Sequence, residues 1–197
     1  MTLAVFTARQ IEIMEASSKR IHQFGIQELT IKNLAADLNL SEAALYRHFK
    51  SKNEILSGVL SYFIQEMNAQ VSLIKNDTNL TPPIALKKIF DYLFNSFVKN
   101  PALVSVIFSE GIFQYNPDLT EKIKAMLGLM HSNISSIVLE GQANKTFIST
   151  VGVNSIAIMV MGSMRMVVLK WKLSNHQFNL KKEGKKILED LLIMITK

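Results

Sequence analysis

Between Ser41 and Leu56 the chain reads SEAALYRHFKSKNEIL, and Tyr46, Arg47, His48, Lys50 and Lys52 fall within seven residues, just behind Ala43 and Ala44. An enzyme would wall such groups into a pocket. No nucleophile–base pair, carboxylate dyad or glycine-rich phosphate loop accompanies them anywhere in the chain. An anchor lying on a membrane surface would set more apolar area beside the charges. A surface that follows a sugar–phosphate backbone needs what is present: donors on long side chains, an aromatic hydroxyl, and no acid among Arg47, Lys50 and Lys52.

Charge and composition narrow the remaining classes. The formal net charge is +6, but residues 1–60 hold seven basic against six acidic residues, so local placement rather than overall pI carries the nucleic-acid expectation. Cysteine is absent, which excludes disulfides and thiolate metal sites and suits a reducing compartment. The four histidines lack metal-binding spacing, and neither a metal nor a cofactor is expected. The start, MTLAVFTARQ, lacks the basic residues and apolar length of a signal peptide, which leaves a cytoplasmic expectation. The stretch Val151 to Leu169 is apolar but is interrupted by Asn154, Ser155, Ser163 and Arg165. It reads as a buried or partner-facing helix rather than a membrane span.

Helical spacing dominates, and an all-α chain follows. A first helix over 7–24 has Ile11, Met14, Ile21 and Phe24 at helical intervals and stops at Gly25. Thr30 caps a second helix carrying Ile31, Leu34, Ala35 and Leu38. Ser41 caps a short third helix to about His48, and Ser51 with Glu54 opens a fourth as a capping box. Helices are then expected over 82–99, 101–113, 117–139 with Asn116 as cap, 146–173 and 180–195. The predicted division is a head over 1–63 and a larger helical bundle over 64–197.

Helix, tight turn and short capped helix over 30–49 form a helix-turn-helix. In that geometry Glu42, Ala43 and Ala44 face base edges, small alanines permitting contact with thymine methyls. Tyr46, Arg47 and His48 reach the flanking backbone, while Lys50, Lys52 and the start of the fourth helix add charge and free N–H groups for a phosphate. Glu42 either accepts from a cytosine amino group or simply favours the helix N-terminus. Thr30, Lys32 and Ser41 complete the candidate DNA-facing set.

The stretch FGIQELTIKNLAADLNLSEAALYRHFKSKNEIL resembles the DNA-binding domain of TetR-family transcriptional regulators. The matching positions are Gly25, Thr30, Leu34-Ala35, Leu40-Ser41, Leu45-Tyr46, His48-Phe49, Lys52 and Leu56. Departures are Leu34 for the usual Ile, Asn39 for Gly in the turn and Leu40 for Val; Asn tolerates left-handed backbone, so the turn survives. The resemblance spans about residues 7–63. It implies a homodimeric regulator, most simply a repressor, that leaves a palindromic operator when a ligand shifts the spacing of its two heads. It also implies that the last two helices dimerise.

On that basis Gly152, Ile156, Val160, Ser163, Val167, Leu188, Leu191, Leu192 and Ile195 are expected at the dimer interface. Phe90, Phe94, Phe97, Phe108, Phe113, Met126, Met130, Met159 and Met166 are expected to line an adaptable apolar pocket. Arg165, placed deep in an apolar helix, is expected to pair with Glu110, with Glu140 or with an acidic ligand head. The alternative is the same DNA head without a small-molecule effector, organising DNA or binding a protein.

Overall fold

The computed structural model describes residues 5–108 and 116–197, and helices account for most of them. Among these residues nine helices follow in order: α1 Ala8–Phe24, α2 Ile31–Asp37, α3 Glu42–Tyr46, α4 Lys52–Asn76, α5 Pro82–Lys99, α6 Pro101–Ile107, α7 Pro117–Ala143, α8 Val153–Leu173 and α9 Leu180–Ile195. A 3-10 turn, Ile26–Glu28, separates α1 from α2. Among the described residues β structure is limited to a single bridge between Phe147 and Thr196. The chain forms two compact units, the first Met1–Glu66 with Asn100–Ala125, the second Met67–Lys99 with Met126–Lys197. This division falls inside α4 and inside α7, and it groups residues 100–108 and 116–125 with the head, whereas the sequence reading draws one boundary after residue 63.

In the first unit local signals set each helix end. Thr7 and Gln10 close a capping box on α1: the Thr7 hydroxyl accepts from the Gln10 N–H, and the Gln10 side chain accepts from the Thr7 N–H. Gly25 ends α1 at φ 85°, a left-handed conformation that costs glycine nothing. The Thr30 and Ser41 hydroxyls accept from the N–H groups of Asn33 and Ala44, each at 3.1 Å. Between these caps Asn39 takes φ 51°, the left-handed turn position anticipated for it.

Ile13, Met14, Ile21, Leu34, Leu45, Phe49, Ile55 and Leu56 form the core beneath the helix-turn-helix. Phe24, expected on the apolar side, is instead exposed, with the Arg20 guanidinium 5.1 Å from its ring centroid. Gly58 lets α4 approach closely: a Cβ there would stand 2.9 Å from Met14 Sδ and 3.2 Å from Phe49 Cε1. Lower in the same unit, Lys122 Nζ donates to the buried Ser61 hydroxyl at 2.7 Å.

The second unit packs α9 against α5 and α8. Ile89, Phe90, Leu93, Phe94 and Phe97 of α5 are buried, with Phe90 and Phe94 edge-on at 5.5 Å. Helix α8 begins at Val153, seven residues later than the periodicity suggests. Phe147 is fully buried, the Gln142 side-chain amide donates to the Ile148 and Val151 carbonyls at 2.8 Å each, and Lys145 turns at φ 64°. Those tertiary contacts hold 144–152 as a loop although its composition would tolerate a helix. Helix α3 ends two residues earlier than expected and α6 stops at Ile107.

Candidate nucleic-acid interface

Helix α3 buries Leu45 and turns the rest outward. Ser41, Glu42, Ala43, Tyr46 and Arg47 are exposed and Ala44 is half-buried. Tyr46 is 48% exposed, a large aromatic at a position where a packing role would have covered it. His48 is half-buried just beyond the helix, while Phe49 goes into the core. Thr30, Lys32 and Lys50 are exposed around this helix. The structure thus leaves all eleven candidate DNA-facing residues exposed or half-buried around one short helix, with Glu42 the one acid among them.

Lys52 is different. Its ammonium donates to the Ile26 carbonyl at 2.8 Å and is half-buried. Burial pushes its pKa down, opposed in part by the nearby Glu28 carboxylate. That ammonium therefore already holds one bond within its own unit, with two donors left for the phosphate contact expected of Lys52. The start of α4 is also partly occupied. Ser51 Oγ accepts from the Glu54 N–H at 3.1 Å, and the Glu54 carboxylate accepts from the Lys50 N–H, so that N–H is unavailable to a phosphate.

The side chains that fix this surface were not all legible as functional. Gln10 Nε2 donates to the His48 carbonyl at 3.3 Å, and Arg20 Nε pairs with Asp37 at 2.7 Å, tying α1 to α2. Nothing local in the sequence points from Gln10 to a partner 38 positions away.

The dimer-face and pocket expectations meet the structure less well. Ile156, Val160, Val167, Leu188, Leu192 and Ile195 lie in the core of their own unit, so they are not available to a second chain. Ser163 and Leu191 are half-buried and Gly152 is exposed at the start of α8. The exposed side of α8 is the opposite one, carrying Ile158, Met159, Arg165, Met166 and Leu173; on α9 it carries Ile193 and Met194.

Met159 and Met166 therefore turn away from the buried Phe90, Phe94, Phe97, Met126 and Met130 rather than joining them. Phe108 is half-buried in the first unit, and Phe113 and Glu110 lie outside the described residues. Arg165 is exposed, so no buried charge needs compensation. A cleft of about 510 Å³ lined by Ser57, Asp118, Glu121, Lys122 and Ala125 lies in the first unit and includes none of the expected pocket residues. Helix α8 is long and apolar enough to cross a membrane by length and composition, yet one whole side of it is packed into the second unit.

A capped helix-turn-helix with its second helix exposed, followed by a helical unit, defines a DNA-binding regulator. Residues 13–59 match the family described as "Bacterial regulatory proteins, tetR family", and residues 59–194 match "YsiA-like protein, C-terminal region". The chain belongs to the TetR family of bacterial regulatory proteins.

Among curated relatives, the "Nucleoid occlusion factor SlmA" of Shewanella amazonensis is 25% identical over 68% of this chain and 67% of its own. That of Photobacterium profundum is 22% identical over 87% of this chain and 88% of its own. Two solved structures share the fold. The fatty acid degradation regulator FadR of Bacillus halodurans superposes with TM-score 0.84 at 18% identity, covering 96% of this chain and 97% of its own. The FadR of Bacillus subtilis, in complex with stearoyl-CoA, gives TM-score 0.79 at 18% identity, covering 92% and 97%.

Proposed function

We propose that this regulator is a cytoplasmic, non-enzymatic homodimeric repressor. It holds an inverted-repeat operator, one half-site per subunit, and is released by a small effector with a long apolar part. The observation that carries this reading is the outward face of α3. There Glu42, Ala43 and Tyr46 are exposed while Leu45 and Phe49 hold the helix to its core.

Two-fold pairing is supported by Ile158, Met159, Met166 and Leu173 on α8 with Ile193 and Met194 on α9. These are large apolar groups left exposed on two helices that pack against each other. A second copy related by two-fold symmetry would cover these residues with like residues. An apolar effector is supported by the Phe and Met side chains of the second unit, which can repack around a ligand, and by the stearoyl-CoA named for the Bacillus subtilis neighbour.

The relatives named nucleoid occlusion factors favour a second reading, a DNA-bound protein that organises DNA or docks a protein without any effector. Selection of binding sites from random duplex DNA at near-physiological salt, followed by challenge of the bound probe with fatty acyl-CoAs of graded length, separates the two. An inverted repeat released by acyl-CoA establishes the repressor. An inverted repeat that no acyl-CoA releases favours the second reading. Binding that is salt-sensitive and indifferent to sequence refutes the operator reading.

A further inference from the structure

Residues 165–188 hold seven basic residues and one acid, a net +6 that equals the formal charge of the whole chain. The unit with the helix-turn-helix adds nothing to it, since nine basic residues there stand against ten acidic ones. The positive charge of this regulator therefore gathers where α8 ends and α9 begins, and the function proposed above leaves it unused.

Lys170, Lys181, Lys182, Lys185 and Lys186 are all exposed. Lys181 with Lys185, and Lys182 with Lys186, stand one helical turn apart on α9. The Lys170 ammonium lies 5.4 Å from the centroid of the Phe178 ring, which holds it to the turn before α9. Lys181 and Lys182 sit in the first turn of α9, where the helix dipole already presents positive charge and cations are disfavoured. Glu183 is the one acid in that turn. The next, Glu189, stands 3.9 Å from Lys185 and 4.0 Å from Lys87 of α5, exposed pairs too weak to cancel the field. Within its unit α9 runs antiparallel to α5, because Gly184 meets Phe94 while Glu189 reaches Lys87. The lysines thus lie toward the C-terminal end of α5, from which the chain passes at Asn100 into the unit carrying the helix-turn-helix.

We propose that the start of α9, with Lys170, is a second DNA contact that holds the phosphates of duplex DNA without regard to sequence. The inference rests on the DNA-binding reading above. Lysine is a compact charge on a flexible stem and lacks the planar fork with which arginine fixes on a base edge or a single phosphate, so a row of lysines suits a repeating backbone. A helix lying on a bilayer sets apolar groups among its cations. Over 180–188 none is exposed: Leu180 and Leu188 are buried and Ile187 is half-buried.

The test uses the full chain with Lys181→Gln, Lys182→Gln, Lys185→Gln and Lys186→Gln combined. Its control, Lys75→Gln, Lys88→Gln, Lys145→Asn and Lys197→Gln combined, removes the same charge elsewhere in the second unit. Binding to a random-sequence duplex is measured across a salt series. The slope of log affinity on log salt is expected to be shallower in the α9 variant by about 0.9 for each lysine that meets a phosphate, and unchanged in the control. The double variant Lys181→Gln with Lys185→Gln repeats the measurement on the side of α9 nearest Lys87, and sedimentation checks that each variant associates as the parent does.

A fall smaller than about 0.9 per subunit, or an equal fall in the control, overturns the proposal. So does loss of pelleting with phosphatidylglycerol vesicles while the duplex slope stays that of the parent, which would assign these lysines to a bilayer. A parent chain that binds no duplex at any salt refutes the DNA-binding reading itself. A parent that binds while the α9 variant matches it refutes this inference alone.

Discussion

Gly184→Ala sets two effects of opposite sign against each other at one position. Gly184 lies inside α9, where alanine is favoured over glycine by about 1 kcal/mol in helix propensity. A Cβ there would stand 2.1 Å from Phe94 Cε2, 2.3 Å from Cζ and 2.9 Å from Cδ2. Phe94 is fully buried and edge-on to Phe90, which is 1% exposed, so the ring cannot swing aside without displacing a second buried ring. Overpacking of this kind costs about 1–3 kcal/mol, and three ring atoms inside 3 Å place it at the upper end.

The net loss is about 1–2 kcal/mol, or a fall in Tm of about 2–8 °C for a chain of this length. Gly128→Ala in α7 is the control: nothing lies within 4 Å of its Cβ position, so only the propensity gain remains and Tm should rise by about 2–4 °C. Thermal melts followed by far-ultraviolet circular dichroism, at one fixed protein concentration because association shifts Tm, measure both. If Gly184→Ala melts no lower than the parent while Gly128→Ala rises as expected, the packing of α9 on the Phe94 ring is refuted.

Met166→Glu on α8 and Ile193→Glu on α9 each put a charge into the exposed apolar patch. They are expected to shift sedimentation from dimer to monomer while leaving the helical signal intact; dimers surviving both would remove this face from the interface. Tyr62 has its pKa raised by a hydrogen bond to Glu66, by the Glu66 charge, by burial and by the Glu15 charge. Because the folded value lies above the unfolded one, the stabilisation is present below about pH 10 and is lost as pH rises through the folded value. Absorbance of tyrosinate should show a late-ionising component that Tyr62→Phe removes; its persistence in that variant would refute the raised pKa assigned to Tyr62.

The head was largely legible because its signals are local. Thr30 and Ser41 cap within three residues, Gly25 and Asn39 supply left-handed backbone where the chain must turn, and Leu45 and Phe49 mark the buried side of a helix that shows everything else. The bundle was legible as helices but not as faces. Helix α8 has few polar residues; Asn154, Ser155, Arg165 and Lys170 lie on its exposed side among Ile158, Met159, Met166 and Leu173, and the side chosen from apolar spacing proved to be the one packed within the chain itself.

The amino-acid sequence by itself determined an all-helical regulator with a capped helix-turn-helix, since caps, turns and periodicity act between residues a few positions apart. Only the tertiary structure decided which side of α8 and α9 is left exposed, that residues 100–108 and 116–125 group with the head, and that Gln10 and Lys52 grip carbonyls 38 and 26 positions away. Those outcomes depend on how distant segments meet. A lysine near a helix start looks the same in sequence whether its ammonium is met by a phosphate or by a carbonyl of its own chain.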